Sequence, residues 1–333
     1  MSPNDDVTHL VGNTPLIKLR GPSDATGCNI YGKAEFLNPG GSVKDRTALG
    51  IIRAAEKDGS LQPGGTIVEG TAGNTGIGLC VIANALGYKT QVVMPMTQSK
   101  EKIDLLELYG AELHLVPATS YEDPNHYTHR AKALTEKLQA SGKNAIWANQ
   151  FNNTANRDMH EHTTGAEIWN QTGGDIDGFI CSVGTGGTLA GVAGCLRSKK
   201  SDVKIGIADP LSSSLYHYYS SGEFKSEGAS IIEGIGISHV TDNLAGVDID
   251  YAYQVTDSDA LKLIFAMMEQ EGLCLGGSSG VNVAGAIAIA RELGPGHTIV
   301  TVLCDYGVRY QSKLFNPAFL ENHGLPAPRW LSS

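Results

Sequence analysis

The stretch GTIVEGTAGNTGIGLCVIANALGYKTQVVMP, residues 65–95, contains one complete strand–loop–helix–strand unit. Residues 65–70 and 89–95 are short apolar runs that predict buried strands, and residues 76–87 carry the apolar spacing of a helix between them. Strands joined by a crossover helix run parallel, and parallel sheets bind ligands at the carboxyl ends of their strands. The loop that leaves the first strand is therefore a candidate binding loop.

The same alternation continues along the chain in two series. Further strands are predicted at residues 111–117, 144–150, 178–183, 203–209 and 297–304, with helices at 99–110, 128–141, 157–171, 189–200, 257–272 and 281–294. A length of 333 residues exceeds the usual size of one domain. The sequence therefore predicts an α/β fold with two lobes, each a mainly parallel sheet flanked by helices, facing one cleft.

Charge and composition exclude several classes of partner. The formal net charge of −10 argues against binding to nucleic acid or to an anionic membrane surface. No apolar run approaches the ~18 residues of a membrane span, and the N-terminal residues do not resemble a signal peptide. The histidine pairs His126/His129 and His160/His162 lack an obvious third ligand, so no metal site is expected.

The six cysteines are far apart and contain no C-x-x-C pair. Several lie in apolar runs, so we expect buried free thiols in a reducing compartment, with a disulfide framework as the alternative. This favours a cytoplasmic protein.

One lysine has an unusual setting. In NPGGSVKDR, residues 38–46, Lys44 follows a Pro-Gly-Gly turn and begins a helical run. The positive end of a helix and burial both favour the neutral amine, which can attack an aldehyde. The alternative is a solvated lysine on an exposed first turn.

Two glycine-rich loops each join a strand to a helix. In GTAGNTGIG, residues 70–78, glycines let backbone amides approach an anion, while a capped structural turn is the alternative. SVGTGGTLAGV, residues 182–192, has the character of a phosphate cradle. A dinucleotide site with Asp209 as the ribose acid competes, but Leu189 stands where its fingerprint requires a third glycine.

A fourth segment, GGSSG at residues 276–280, matches the G-x-S-x-G pattern of serine hydrolases. Ser278, Asp305 and His323 follow the chain order of such a triad. This hydrolase hypothesis lacks an HGGG-type oxyanion segment and leaves the other three loops unexplained.

An amine, a phosphate cradle, an anion-binding loop and a serine hydroxyl together fit one cofactor, pyridoxal phosphate. The chain resembles the cysteine synthase (O-acetylserine sulfhydrylase) family. That family belongs to the fold-type II, tryptophan synthase β-like group of pyridoxal-phosphate enzymes, which includes cystathionine β-synthase. The resemblance runs in family order through VGNTPLIKL, NPGGSVKDR, TAGNTGIG, ANQFNN, EIWNQTGG, VGTGGTLAGV, EGIGI, GGSSG and CDYGVRYQSKLF.

The resemblance implies a role for each candidate residue. Lys44 would form the Schiff base with the cofactor and later remove the substrate α-proton, Asn74 would contact the ring hydroxyl, and Ser278 the ring nitrogen. The phosphate would be held by Gly184, Thr185, Gly186, Gly187 and Thr188. The substrate carboxylate would be held by Thr71, Ala72, Gly73, Asn74, Thr75 and Gln150.

The implied reaction is β-replacement of O-acetyl-L-serine by sulfide, giving L-cysteine and acetate. Cysteine desulfhydrase, β-cyanoalanine synthase and cystathionine β-synthase activities would use the same machinery. Ala72 stands where the family commonly has serine, which puts the substrate in doubt. It also motivates a further hypothesis, a non-catalytic module that regulates a partner.

The resemblance also implies an organisation and partners. Residues 1–47 with 154–333 would form the larger, cofactor-binding lobe, and residues 48–153 a smaller mobile lobe that closes on the substrate. A homodimer is expected, and the C-terminal tail of a serine acetyltransferase is a candidate partner for the cleft.

Overall fold

The computed structural model describes residues 6–71 and 73–331. The expectation for Ala72 therefore lies outside the described residues. Within them, helices and strands alternate along the chain as the sequence predicts.

The strands are β1 (Leu16–Lys18), β2 (Asn29–Ala34), β3 (Thr66–Gly70), β4 (Lys89–Pro95), β5 (Glu112–Val116), β6 (Ala145–Trp147), β7 (Gly178–Cys181), β8 (Lys204–Pro210), β9 (Tyr251–Val255) and β10 (Thr298–Leu303). The α-helices are α1 (Arg20–Thr26), α2 (Lys44–Asp58), α3 (Asn74–Leu86), α4 (Lys100–Leu108), α5 (Tyr127–Ala140), α6 (Ala155–His160), α7 (Ala166–Gln171), α8 (Gly187–Lys199), α9 (Leu215–Ser221), α10 (Asp257–Glu271), α11 (Gly277–Leu293) and α12 (Pro317–Asn322). Short 3-10 helices cover Val7–Leu10, Glu35–Leu37, Gly307–Tyr310 and Arg329–Leu331, and a π-helical turn covers Glu161–Gly165.

The strands form two sheets. The large sheet has the order β1-β2-β10-β7-β8-β9, and the small sheet has the order β5-β4-β3-β6. Every strand pair is parallel except β1 with β2, which is antiparallel. Apolar residues fill the layers between sheets and helices, for example Ile30, Ile180 and Ile299 in the large sheet. The predicted α/β fold with two mainly parallel sheets is confirmed.

Some elements differ from the sequence prediction. The helix predicted at 157–171 is divided by the π-helical turn Glu161–Gly165, and the helix predicted from residue 281 already begins at Gly277. Strands β1, β2 and β9 were not predicted. In β2 the apolar pattern is interrupted by Gly32, which packs against Leu303, and by Lys33, which is fully buried because it is paired inside the protein.

All six cysteines lie within the described ranges and are free thiols, four of them buried. No helix in residues 6–71 and 73–331 has the length and apolarity needed to cross a membrane.

A buried ion network fixes the start of α2. Arg46 is fully buried, and its guanidinium contacts both oxygens of Glu35 at 2.8 Å and both oxygens of Glu167 at 2.7 Å. Lys33 donates to Glu167 at 2.6 Å, so two cations face two carboxylates. Burial would raise the pKa of Glu167, but hydrogen bonds from Arg46 and Lys33 lower it to about 2. The network joins α2 to β2 and α7.

We expect Arg46→Ala to lower the free energy of unfolding by about 3–5 kcal/mol, because it leaves the buried Glu35 and the largely buried Glu167 without their main partner. The exposed ion pair of Arg53 with Glu56 on the same helix supplies a matched control. Arg53→Ala should change that free energy by no more than about 0.5 kcal/mol. Denaturant unfolding of both variants checks this, and equal effects would contradict it.

Candidate active site

The two sheets meet at a cleft that lies at the carboxyl ends of their strands. It is lined by candidate residues from all four sequence segments and from the end of β6: Lys44, Thr71, Gly73, Asn74, Thr75, Gln150, Gly184, Thr185, Gly186, Thr188 and Ser278. Gly187 is buried at the start of α8, next to this lining. The structure thus brings together every described residue that the family resemblance assigns to the cofactor and the substrate.

Lys44 is the first residue of α2 and lines the cleft. The preceding segment is tied to the end of β10, since Val43 N donates to the Cys304 carbonyl at 2.9 Å and Ser42 pairs with Asp305. Burial lowers the pKa of the Lys44 ammonium, although Cys304 and Asp305 oppose the shift. Lys44 therefore presents an amine with a raised neutral fraction, and the exposed-lysine alternative is wrong.

Three helices begin at the cleft with glycine as the N-cap residue. These are α3 after Gly73, α8 after Gly186 and α11 after Gly276, and no N-cap side chain bonds to their first turns, although the Gly187 amide of α8 donates to Thr185 Oγ1 at 3.4 Å. Gly73 and Gly186 have φ of 129° and 85°, which favours glycine at both positions. Uncapped first-turn amides with the positive end of the helix dipole form an anion-binding site. This donor set fits the phosphate and the carboxylate that the sequence predicts here.

Neighbouring side chains hold the loop before α8 in place. Asn156 Nδ2 donates to Thr185 Oγ1 at 2.9 Å, and Thr241 Oγ1 donates to the Thr185 carbonyl at 2.7 Å. His160 Nε2 lies 3.2 Å from Thr188 Oγ1. Burial, followed by the charges of Arg46 and Lys44, places the pKa of His160 well below its ordinary value, so the ring is neutral.

The side chain of Gln150 is oriented by a contact with the buried carboxyl group of Glu69. Its Nε2 lies 3.3 Å from Glu69 Oε1 and 3.2 Å from the Gly70 carbonyl, and its Oε1 accepts from the Thr75 hydroxyl. Burial raises the pKa of Glu69 to about 8, against hydrogen bonds from Gln150. The side chains of Gln150 and Thr75 are thus coupled on one wall of the cleft.

Ser278 lies in the first turn of α11 and is buried. It neighbours Cys304, whose backbone N donates to Ser279 Oγ at 2.9 Å. Burial raises the pKa of the Cys304 thiol to about 11 despite a hydrogen bond with Ser278, so the thiol is neutral.

The hydrolase triad suggested by the sequence is not assembled among the residues that the structure describes. Asp305 accepts hydrogen bonds from Asn74 and Tyr310, and His323 bonds to the Phe319 carbonyl at an exposed helix end. Ser278 therefore has neither the base nor the acid of a triad.

Several residues of the site were not assigned to the cleft by sequence reasoning. Lys102 of α4 lines the cleft and pairs with Glu233 at 2.8 Å, and Lys313 reaches the same carboxylate at 2.5 Å. Asp305 and Arg309 contact Asn74. The sequence signal for these residues was the family motifs EGIGI and CDYGVRYQSKLF, which contain Glu233, Asp305, Arg309 and Lys313. A motif does not show which residues its side chains contact.

The chain is similar to known proteins over nearly its full length. Residues 7–305 match the family model described as "Pyridoxal-phosphate dependent enzyme". The chain is 50% identical over 324 residues to Cysteine synthase 1 of Neurospora crassa. The alignment covers 96% of this chain and 85% of that protein.

Two solved structures share the fold. The O-acetylserine dependent cystathionine beta-synthase of Helicobacter pylori superposes with a TM-score of 0.85 at 31% identity, covering 94% of this chain and 99% of that one. A hydrogen sulfide-producing enzyme of Fusobacterium nucleatum gives a TM-score of 0.83 at 35% identity, covering 93% and 99%.

We expect Gly187→Ala to weaken pyridoxal phosphate binding by tenfold or more. A Cβ at this position would lie 2.4–2.7 Å from the Asn156 side chain, which holds Thr185, so the loop before α8 must shift. A matched control on the same helix is Gly194→Ala, whose Cβ would make ordinary contacts of 3.4–3.6 Å with Glu161. Absorbance titration with pyridoxal phosphate compares the two variants. Equal affinities would contradict phosphate binding by the loop before α8.

Proposed function

The chain belongs to the pyridoxal-phosphate dependent enzyme family, and from that membership we propose that it is a cysteine synthase that replaces the acetoxy group of O-acetyl-L-serine with sulfide. The products are L-cysteine and acetate. The observation that carries this proposal is the position of Lys44. Burial lowers the pKa of its amine, and it lies in a cleft beside helix N-termini whose N-cap residue is glycine. The 50% identity to a cysteine synthase over nearly the whole chain supports it.

The cofactor is pyridoxal phosphate, which when bound supplies an aldehyde for covalent attachment of an amine and an electron-withdrawing ring. The loop from Gly184 to Thr188 would hold its phosphate on the first-turn amides of α8. The Ser278 hydroxyl would meet the ring nitrogen. A neutral serine there, unlike an aspartate, leaves the pyridine weakly protonated, which suits chemistry at the substrate Cβ.

Lys44 has two tasks in this proposal. Its Nζ would hold the cofactor at rest and would accept the proton from the substrate Cα during turnover. Both tasks need the neutral amine, and burial lowers the pKa of Lys44 in that direction. The backbone contacts of Ser42 and Val43 with the end of β10 fix the backbone from which the Lys44 side chain enters the cleft.

The substrate carboxylate would be bound by Thr71 to Thr75, including Ala72, and by Gln150. The first-turn amides of α3 supply donors that do not depend on the side chain at position 72. Because these donors remain, loss of the usual serine hydroxyl is compatible with binding of an amino acid.

Residues 48–153 would form the smaller lobe that closes over the substrate, and residues 1–47 with 154–333 the larger lobe. All strands of the small sheet fall within the first range and all strands of the large sheet outside it. The ion pair of Lys102 with Glu233 crosses between these ranges. Closure would exclude water from the reacting centre.

A second candidate is release of hydrogen sulfide from cysteine by the same residues. The likeness to an enzyme described as hydrogen sulfide-producing, at 35% identity over 93% of this chain, favours it. Cystathionine β-synthase activity is supported in the same way by the Helicobacter pylori structure.

We also propose that the protein is a cytoplasmic homodimer. Its free cysteines suit a reducing compartment. Binding of a serine acetyltransferase tail at the cleft rests on the family resemblance alone.

We expect borohydride to fix one cofactor per chain in the wild-type protein and none in Lys44→Ala. Borohydride reduces the imine to a stable amine, so mass spectrometry of peptides locates the adduct. Lys57→Ala, an exposed position at the other end of α2, should keep it. An adduct that survives in Lys44→Ala would show that another amine holds the cofactor.

We expect O-acetyl-L-serine to change the visible spectrum of the holoenzyme within one turnover, and sulfide to restore it with release of L-cysteine. O-phosphoserine, serine and cysteine, tested in parallel by stopped-flow absorbance, rank the donors. A larger response to cysteine would favour sulfide release. A cofactor-loaded protein that responds to none of them would be the non-catalytic module.

A further inference from the structure

The side-chain amide of Asn74 is contacted at both ends. Its Nδ2 donates to Asp305 Oδ2 at 2.6 Å, and its Oδ1 accepts from Arg309 Nη1 at 2.9 Å. The reversed amide would place its oxygen against a carboxylate and its NH2 against a guanidinium, two unfavourable contacts. Asp305 and Arg309 therefore admit only one orientation of the Asn74 amide.

Both partners of Asn74 are themselves fixed. Asp305 is fully buried, and its Oδ2 also accepts the Tyr310 hydroxyl at 2.6 Å, while its backbone pairs with Ser42. Arg309 is 7% exposed and donates through Nη2 to the Gly40 carbonyl. The Asn74 amide is thus held by a rigid acceptor and a rigid donor.

This contact joins distant parts of the chain. Asn74 begins α3 beside the small sheet, whereas Asp305 and Arg309 follow β10 of the large sheet, 231 and 235 residues away. The same Asp305 pairs with the segment that carries Lys44. One residue, Asp305, therefore contacts the candidate carboxylate-binding loop through its side chain and the Lys44 segment through its backbone.

We infer that Asp305, together with Arg309, is a positioning residue that directs the remaining N–H of Asn74 into the cleft. One Nδ2 hydrogen is used on Asp305, and in the described part of the chain the second has no protein acceptor, although Asn74 lines the cleft. This inference rests on the proposed function, in which Asn74 contacts the ring hydroxyl of the cofactor.

A purely electrostatic effect of Asp305 on Lys44 is the alternative to a positioning role, and the experiment separates the two. Its negative charge acts on Lys44 and opposes the lowering of the Lys44 pKa. Asp305→Asn removes this charge but keeps an oxygen that can accept from Asn74 and from Tyr310. Asp305→Ala removes both the charge and the acceptor.

The test is a double-mutant cycle on the full-length holoenzyme, with Asp305→Ala, Asp305→Asn, Asn74→Ala and the double variant Asn74→Ala/Asp305→Ala. The readouts are the dissociation constant for pyridoxal phosphate, the position of its visible band, and kcat and KM for O-acetyl-L-serine. We expect Asp305→Ala to weaken cofactor binding about tenfold and to shift the band. Asp305→Asn should stay within about threefold of wild type, and the double variant should match Asn74→Ala, because Asp305 acts through Asn74.

Three results would overturn the inference alone: wild-type binding and spectrum in Asp305→Ala, an equal loss in a folded Asp305→Asn, or additive losses in the double variant. The second would assign the effect to charge, and the third to a route that bypasses Asn74. Thermal unfolding confirms that each variant is folded, and Asp305→Ser replaces Asp305→Ala if the alanine variant does not fold. Failure of the wild-type protein to bind pyridoxal phosphate would instead overturn the proposed function and this inference with it.

Discussion

The structure depends on the burial of Arg46 between Glu35 and Glu167. A buried guanidinium is costly unless its donors are all matched, and here two carboxylates balance the charges of Arg46 and of a second cation, Lys33. Arg46 lies two residues after Lys44 on the same first turn of α2. The network thus fixes the direction of the helix start in surroundings dry enough to lower the pKa of Lys44. The first turn of α2 thus carries two basic residues in different states. The charge of Arg46 is compensated by carboxylates, whereas the pKa of Lys44 is lowered, so its amine loses its proton more readily.

The position of the cleft follows from parallel strands. In a parallel sheet every crossover helix begins near the carboxyl end of the preceding strand, so helix N-termini collect along one edge. Here two sheets bring such edges together, and α3, α8 and α11 all begin at the cleft after a glycine. The glycines supply φ values that other residues rarely adopt at Gly73 and Gly186, and they bring no N-cap side chain that would occupy the first-turn amides. The anion binding that we propose would therefore depend on the backbone, with side chains such as Thr185 and Gln150 adding to it.

The sequence predicts those features that arise from neighbouring residues. The strand–loop–helix units, the glycine-rich loops between strands and helices and the position of Lys44 at a helix start are local, and the structure contains them, although a π-helical turn divides one helix. Contacts between distant polar residues carry no local signal, so sequence reasoning missed the pairing of Arg46 with Glu167, of Lys102 with Glu233 and of Asn74 with Asp305. Strand β2 was missed for the same reason, because the buried Lys33 is paired with a carboxylate 134 residues away and with Gln171, 138 residues away.

The missed contacts have a common geometry that links folding to function. Asn74 with Asp305, and Lys102 with Glu233, each join a helix beside the small sheet to a segment that follows strands of the large sheet. The ammonium of Lys102 also lies 4.5 Å from the ring centroid of Tyr310, whose hydroxyl bonds to Asp305, so the two contacts share one connected cluster. Buried polar groups are stable only while every partner is present. Separating the two sheets would break this cluster as a unit, and bringing them together would complete the lining around Lys44 in the same step.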